Sequence, residues 1–152
     1  MILYRHAKLS DAEAILSIIN EFANEGLMLP RTRSGLYEGI REFIVAVENE
    51  KIVGTGSLHI IWEDLAETRT LVVLKSHQKR GIGRKLVEIL LQEAEQLNCP
   101  QVFTLTYQIE FFEHLGFQLV DKKKMPQKVW KDCINCIKFP NCDENAMIIN
   151  LK

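Results

Sequence analysis

Apolar residues recur along the chain with two periods. Ile15, Leu16, Ile18, Ile19 and Phe22 follow at helical spacing behind Ser10-Asp11-Ala12-Glu13. In that Ser-x-x-Glu pattern a serine N-cap and a glutamate three residues on satisfy each other's backbone N–H groups, so a helix is expected here, fading near Gly26. A short first strand is read at Ile2–Arg5 and a second short helix near Leu36–Arg41. Glu42–Glu48, Lys51–Ile61 and Glu67–Val73 are rich in β-branched and aromatic residues. They are separated by Asn49-Glu50 and Glu63-Asp64. Short loops of this kind join neighbours, which predicts an antiparallel meander.

Beyond residue 75 the period changes. Ile82, Leu86, Ile89, Leu90, Ala94 and Leu97 mark one helical face, and Lys85, Glu88, Gln92 and Glu95 the other, with Cys99-Pro100 as the expected stop. Gln101–Thr106 reads as a strand, so strand 67–73, helix 82–97 and strand 101–106 form a βαβ crossover whose two strands run parallel. A short helix at Glu110–Leu115 stopped by Gly116, a strand at Phe117–Val120 and a last strand at Ala146–Ile149 complete the pattern. The expected fold is α+β: one domain over residues 1–152, with a mixed, mostly antiparallel sheet, one parallel pair and helices on both faces.

Length and composition add limits. The chain has 152 residues, 47% hydrophobic and 26% charged, with a net charge of −1. That suits one globular domain and disfavours a nucleic-acid-binding role, which usually needs a strong basic excess. The runs Lys79-Arg80 and Lys122–Lys124 are short. No apolar stretch approaches the roughly 20 residues of a membrane span. The start, Met1–His6, reads without a secretory signal. A cytoplasmic protein with four reduced cysteines is expected.

Candidate chemistry centres on Gln78-Lys79-Arg80-Gly81-Ile82-Gly83, between an expected strand and an amphipathic helix. Unpaired N–H groups at a helix start, together with the helix dipole, favour an anion. Gly81 and Gly83 let the backbone approach the ligand, and Lys79, Arg80 and Arg84 add positive charge. The loop lacks the Gly-Lys-Ser/Thr ending of a Walker motif. It also departs from the dinucleotide fingerprint, because Leu86 stands where the third glycine belongs.

The loop matches the Arg/Gln-x-x-Gly-x-Gly/Ala motif through Gln78, Gly81 and Gly83, and the chain here resembles the GNAT family of acetyltransferases. Two further segments carry the resemblance. Thr70–Val73 looks like the family strand that pairs with the pantetheine arm, and Phe111–Phe117 resembles its late helix and Leu-Gly-Phe ending. The resemblance implies acetyl-CoA as cosubstrate, held by Leu71, Val72, Val73 and by Gln78, Lys79, Arg80, Gly81, Ile82, Gly83 and Arg84. It implies no metal, and homodimers are common among relatives.

Finer features narrow the resemblance. Leu29–Arg33 with Leu36-Tyr37, Ala66–Leu71, and the run from Lys128 to Ala146 look like short, stand-alone N-acetylglutamate synthases, which open arginine biosynthesis. The implied acceptor is a small amino acid, L-glutamate first. Arginine suits its carboxylates because a guanidinium binds them through two parallel bonds. Arg31 and Arg33 are the candidates, and Arg69 is a weaker one because neighbours on a strand point to opposite faces. Glu67 is the candidate general base, and a strand N–H near Leu71–Val73 the candidate oxyanion donor. Where many family members place a tyrosine to protonate the departing thiolate, this chain has Phe112; Tyr107 is a possible substitute of equal standing to a rim or core residue. Two alternatives stay open: another small amine or a protein N-terminus as acceptor, and a coenzyme A sensor without turnover. Cys133, Cys136 and Cys142 also admit packing thiols, structural zinc or a redox pair, with packing thiols favoured. His59, His77 and His114 are isolated in sequence and carry no assigned role.

Overall fold

A computed structural model describes residues 1–26, 28, 30–125 and 145–151. Its strands are β1 (Leu3–His6), β2 (Phe43–Glu48), β3 (Lys51–Trp62), β4 (Leu65–Val73), β5 (Gln101–Thr106), β6 (Gln118–Val120) and β7 (Asn145–Asn150). Its helices are α1 (Ala12–Asn24), α2 (Arg33–Glu38), α3 (Ile82–Gln96) and α4 (Ile109–His114). The strands hydrogen-bond in the order β1-β2-β3-β4-β5-β7-β6. β1–β2, β2–β3, β5–β7 and β6–β7 pair antiparallel, and β4–β5 pair parallel, as the crossover requires. The predicted α+β class with one mixed sheet is therefore the observed one. The insertion of β7 between β5 and β6 is not legible in the sequence, because periodicity gives the type of an element and not its neighbour in the sheet. The cysteines Cys133, Cys136 and Cys142 lie outside the described residues.

Contacts divide the chain into two compact units, Met1–Leu58 with Thr68–Gln92, and His59–Glu67 with Glu93–Lys152. In the first unit, cross-strand partners share a face, and that decides how the helices pack. Phe43 and Val45 stand opposite Ser57 and Thr55, and they belong to one cluster with Ile15, Ile19 and Leu36 of α1 and α2. Ile44 and Ala46 stand opposite Gly56 and Gly54 on the other face. There a Cβ at Gly54 would lie 3.3 Å from Ile82 and 3.4 Å from Leu86, and one at Gly56 3.4 Å from Leu90. The glycines let α3 sit close to β3. Covered on both sides, Phe43–Ala46 and Ile52–Leu58 are continuously buried instead of alternating.

One turn joins β2 to β3, and another leads into α1. Asn49 and Glu50 have φ of +52° and +66°, the mirror-image turn whose twist matches a two-residue hairpin. The start of α1 departs from the expected capping box. A single 3-10 turn, Leu9–Asp11, precedes it. The N-cap of α1 is Asp11 and not the expected Ser10, and Asp11 accepts the backbone N–H of Lys8 at 2.7 Å while also taking Arg5 at 2.7 and 3.1 Å. Glu13 is drawn instead to Arg33, at 2.9 and 3.0 Å.

In the second unit, α3 ends with Asn98 at φ +60°. The bonds Cys99 N–H to Ala94 O (2.9 Å) and Asn98 N–H to Glu95 O (3.0 Å) form a Schellman cap. The stop is thus set by Asn98, one residue before the expected Cys99-Pro100. Gly116, at φ +99°, closes α4 in the same way, with Phe117 N–H on Phe112 O and Gly116 N–H on Glu113 O, each 3.0 Å. Among the described residues no helix is long and apolar enough to cross a membrane.

Candidate active site

β4 carries the first element of the site. Its parallel ladder with β5 joins Ala66 to Val102 and Glu67 to Phe103. Three residues after Glu67, Thr70 has φ +55°. A β-branched residue in the left-handed region is strained by roughly 1–3 kcal/mol and persists only where its surroundings fix it. The strained residue lies just ahead of Leu71, Val72 and Val73 on the same strand. Leu71 and Val73 are half-buried and Val72 is buried. Glu67 is a buried carboxyl group, 7% exposed.

Arg31 reaches the distorted strand from 39 residues upstream. Its Nη1 lies 3.5 Å from Thr70 Oγ1, and the guanidinium carbon sits 5.3 Å over the buried ring of Phe43. A cation at this range is attracted to the negative face of the aromatic system. Arg33 goes elsewhere. It is exposed and held by Glu13, which also accepts the Tyr37 hydroxyl at 3.2 Å. The structure therefore brings Arg31, and not Arg33, to β4. Arg69 is half-buried on β4 itself.

The second element is the loop before α3. Lys75–His77 form a 3-10 turn, and Gln78 donates through Nε2 to Val73 O at 3.0 Å. Lys79 and Gly81 both have positive φ, +66° and +81°. α3 begins at Ile82, which is buried. Its first described intrahelical bond runs from Lys85 N–H to Gly81 O at 3.0 Å, so the N–H groups of Ile82, Gly83 and Arg84 come before it. These are the donors that an anion satisfies at a helix start. Lys79 is exposed. Arg84 donates to Glu88 at 3.3 Å, one turn along the helix.

Arg80 is held by a residue that no sequence pattern singles out. Glu48, the last residue of β2, accepts from Arg80 Nη2 at 2.9 Å and lies 2.9 Å from His77 Nε2. The bonds from Arg80 and then His77 hold its carboxyl down to about 2, from an ordinary 4.5. Asp11 is lowered likewise, by its bonds from Arg5 and from the Lys8 N–H. In the unfolded chain both groups take a proton near their ordinary values; in the folded chain they resist it. The stability they contribute is therefore complete above about pH 5 and lost as pH falls through the folded values. The urea midpoint is expected to drop steeply below about pH 4.5 in the native protein, and less steeply in Glu48→Gln. Parallel curves for the two would show that the Glu48 cluster contributes nothing to acid sensitivity.

Phe112 is 4% exposed and packs edge-on against Phe111 and Phe117, with centroids 5.0 and 5.1 Å away. It fills the second unit's aromatic core, a site a hydroxyl would have to be hydrogen-bonded to occupy. Tyr107 is 42% exposed.

A strained residue at Thr70, followed by a glycine-bearing loop and a helix start, places backbone N–H donors and basic side chains where an anionic group can be held. The chain belongs to the acetyltransferase (GNAT) family, whose model matches residues 13–117. It is an acetyltransferase with acetyl-CoA as its cosubstrate. It is 40% identical to an uncharacterised N-acetyltransferase of Chlorobaculum tepidum, over 97% of this chain and 95% of that one. It is 36% identical to an amino-acid acetyltransferase of Mycobacterium tuberculosis, over 84% of this chain and 75% of that one. Among solved structures, a Mycobacterium tuberculosis protein in complex with CoA and NLQ superposes with a TM-score of 0.86 at 31% identity, covering 99% of each chain.

Proposed function

We propose that this chain, acting as one N-acetyltransferase domain, acetylates the α-amino group of a small acidic amino acid, L-glutamate first. The observation that carries the reading is Arg31, a cation placed over Phe43 and against Thr70 on the strand that leads to the cofactor loop. An acceptor with carboxylates is the natural partner for such a group. The relative named amino-acid acetyltransferase supports the same substrate class, and the motif resemblance narrows it to the reaction that opens arginine biosynthesis.

In this reading the loop 78–83 holds the cofactor's diphosphate on backbone N–H groups, and Leu71–Val73 lie along its pantetheine arm. Glu67 takes a proton from the acceptor's ammonium. The free amine attacks the thioester carbonyl, and a β4 N–H steadies the developing oxyanion. The C–N bond forms, the C–S bond breaks, and coenzyme A leaves as a thiolate. A thiol pKa of roughly 8.5 lets it depart without a dedicated acid, which suits a chain with Phe112 where relatives carry tyrosine. Holding both substrates together supplies most of the remaining acceleration.

Free-thiol release from acetyl-CoA, with each standard amino acid offered in turn, tests the proposal. Rapid turnover with glutamate is expected. Turnover with an amine lacking carboxylates and none with glutamate would overturn the substrate class. Tight acetyl-CoA binding with no turnover on any amine would overturn the enzymatic reading of the site in favour of a sensor.

A further inference from the structure

The cofactor loop is anchored by a residue outside it. Glu48 holds His77 with one carboxylate oxygen and Arg80 with the other, each at 2.9 Å. Between those two tied residues lies Lys79, a non-glycine residue at φ +66°. A left-handed lysine is unfavourable on its own and persists only where the surroundings determine it. The clamp brackets it on both sides. The far side of the His77 ring is fixed as well, with Nδ1 2.8 Å from Ser76 Oγ. Glu48 itself sits at the end of β2, just before the tight Asn49-Glu50 turn, so its backbone is braced by the hairpin.

We propose that Glu48 is a positioning residue for acetyl-CoA: through His77 and Arg80 it keeps the Gln78–Gly83 backbone in the shape that receives the diphosphate, without touching the cofactor. The proposal rests on the reading of that loop as the diphosphate cradle. It makes a prediction opposite in sign to simple electrostatics. A carboxylate next to a phosphate site repels the ligand, so its removal would tighten binding if charge alone mattered. If position matters, removal loosens binding.

The test compares KM for acetyl-CoA, KM for the acceptor, and kcat/KM for S-acetylpantetheine, which lacks the diphosphate, in Glu48→Ala, His77→Ala, the double variant and Gly81→Val. Glu48→Ala is expected to raise the acetyl-CoA KM on the order of tenfold. The acceptor KM and the acetylpantetheine value should stay within about twofold. His77→Ala should have a smaller effect, and the double variant no more than Glu48→Ala alone, because both act through one clamp. An unchanged or lowered acetyl-CoA KM in Glu48→Ala, alongside a raised one in Gly81→Val, overturns the positioning role. Equal losses with both thioesters overturn it too, since they signal general damage to the fold. An unchanged acetyl-CoA KM in Gly81→Val overturns the cradle reading itself.

Discussion

Replacing Glu67 by glutamine is expected to lower kcat by about 10²–10⁴-fold, the range that a positioned general base supplies, while coenzyme A binds as before. Glutamine keeps the shape and the hydrogen-bonding reach of the buried side chain, so the fold should survive. A neutral amide cannot take the proton that an ammonium must lose before attack. Coenzyme A affinity by calorimetry, thermal midpoint and kcat together separate the outcomes. Unchanged affinity and midpoint with lost turnover support the base. Near-native kcat would move the base to another group or to water. The loss should narrow as pH rises, because more of the free amine forms in solution.

Arg31→Ala carries the second large effect. A hydrogen bond to a charged group is worth roughly 1.5–3 kcal/mol, or about 10- to 150-fold in affinity. The acceptor KM is expected to rise by that factor, with acetyl-CoA KM unchanged. Arg31→Lys should recover only part of it. Lysine keeps the charge but loses the planar fork that matches a carboxylate and stacks on Phe43. Arg33→Ala serves as the contrast: its guanidinium is exposed and paired with Glu13, and exposed pairs contribute little. A KM change larger for Arg33→Ala than for Arg31→Ala would reverse the assignment of the acceptor's partner.

The chain's local signals were strong where one segment answers to its own periodicity. The helices at 12–24 and 82–96, the hairpin about Asn49-Glu50 and the strand at 101–106 follow from apolar spacing and turn chemistry alone. The loop at 78–83 was legible for the same reason: two glycines, basic residues and a following amphipathic helix lie within a few positions of one another. The cap of α1 misled because a Ser-x-x-Glu pattern competes with partners that sequence does not display. Glu13 found Arg33, 20 residues on, and Asp11 found Arg5.

The sequence by itself determined the type and order of the main elements and placed the 78–83 loop between a strand and a helix, since each depends on residues close in the chain, and the strand–helix–strand order then made β4 and β5 parallel. Tertiary structure alone decided the rest. Thr70 takes a left-handed backbone that a threonine would not choose locally. Of two arginines spaced two apart, one rests on Phe43 beside β4 and the other is spent on α1. His77, isolated in sequence, meets Glu48 from 29 residues away. The common reason is range: propensity and periodicity act over a few residues, whereas strain, ion pairing and aromatic contact are settled by whichever distant groups the folded sheet brings together.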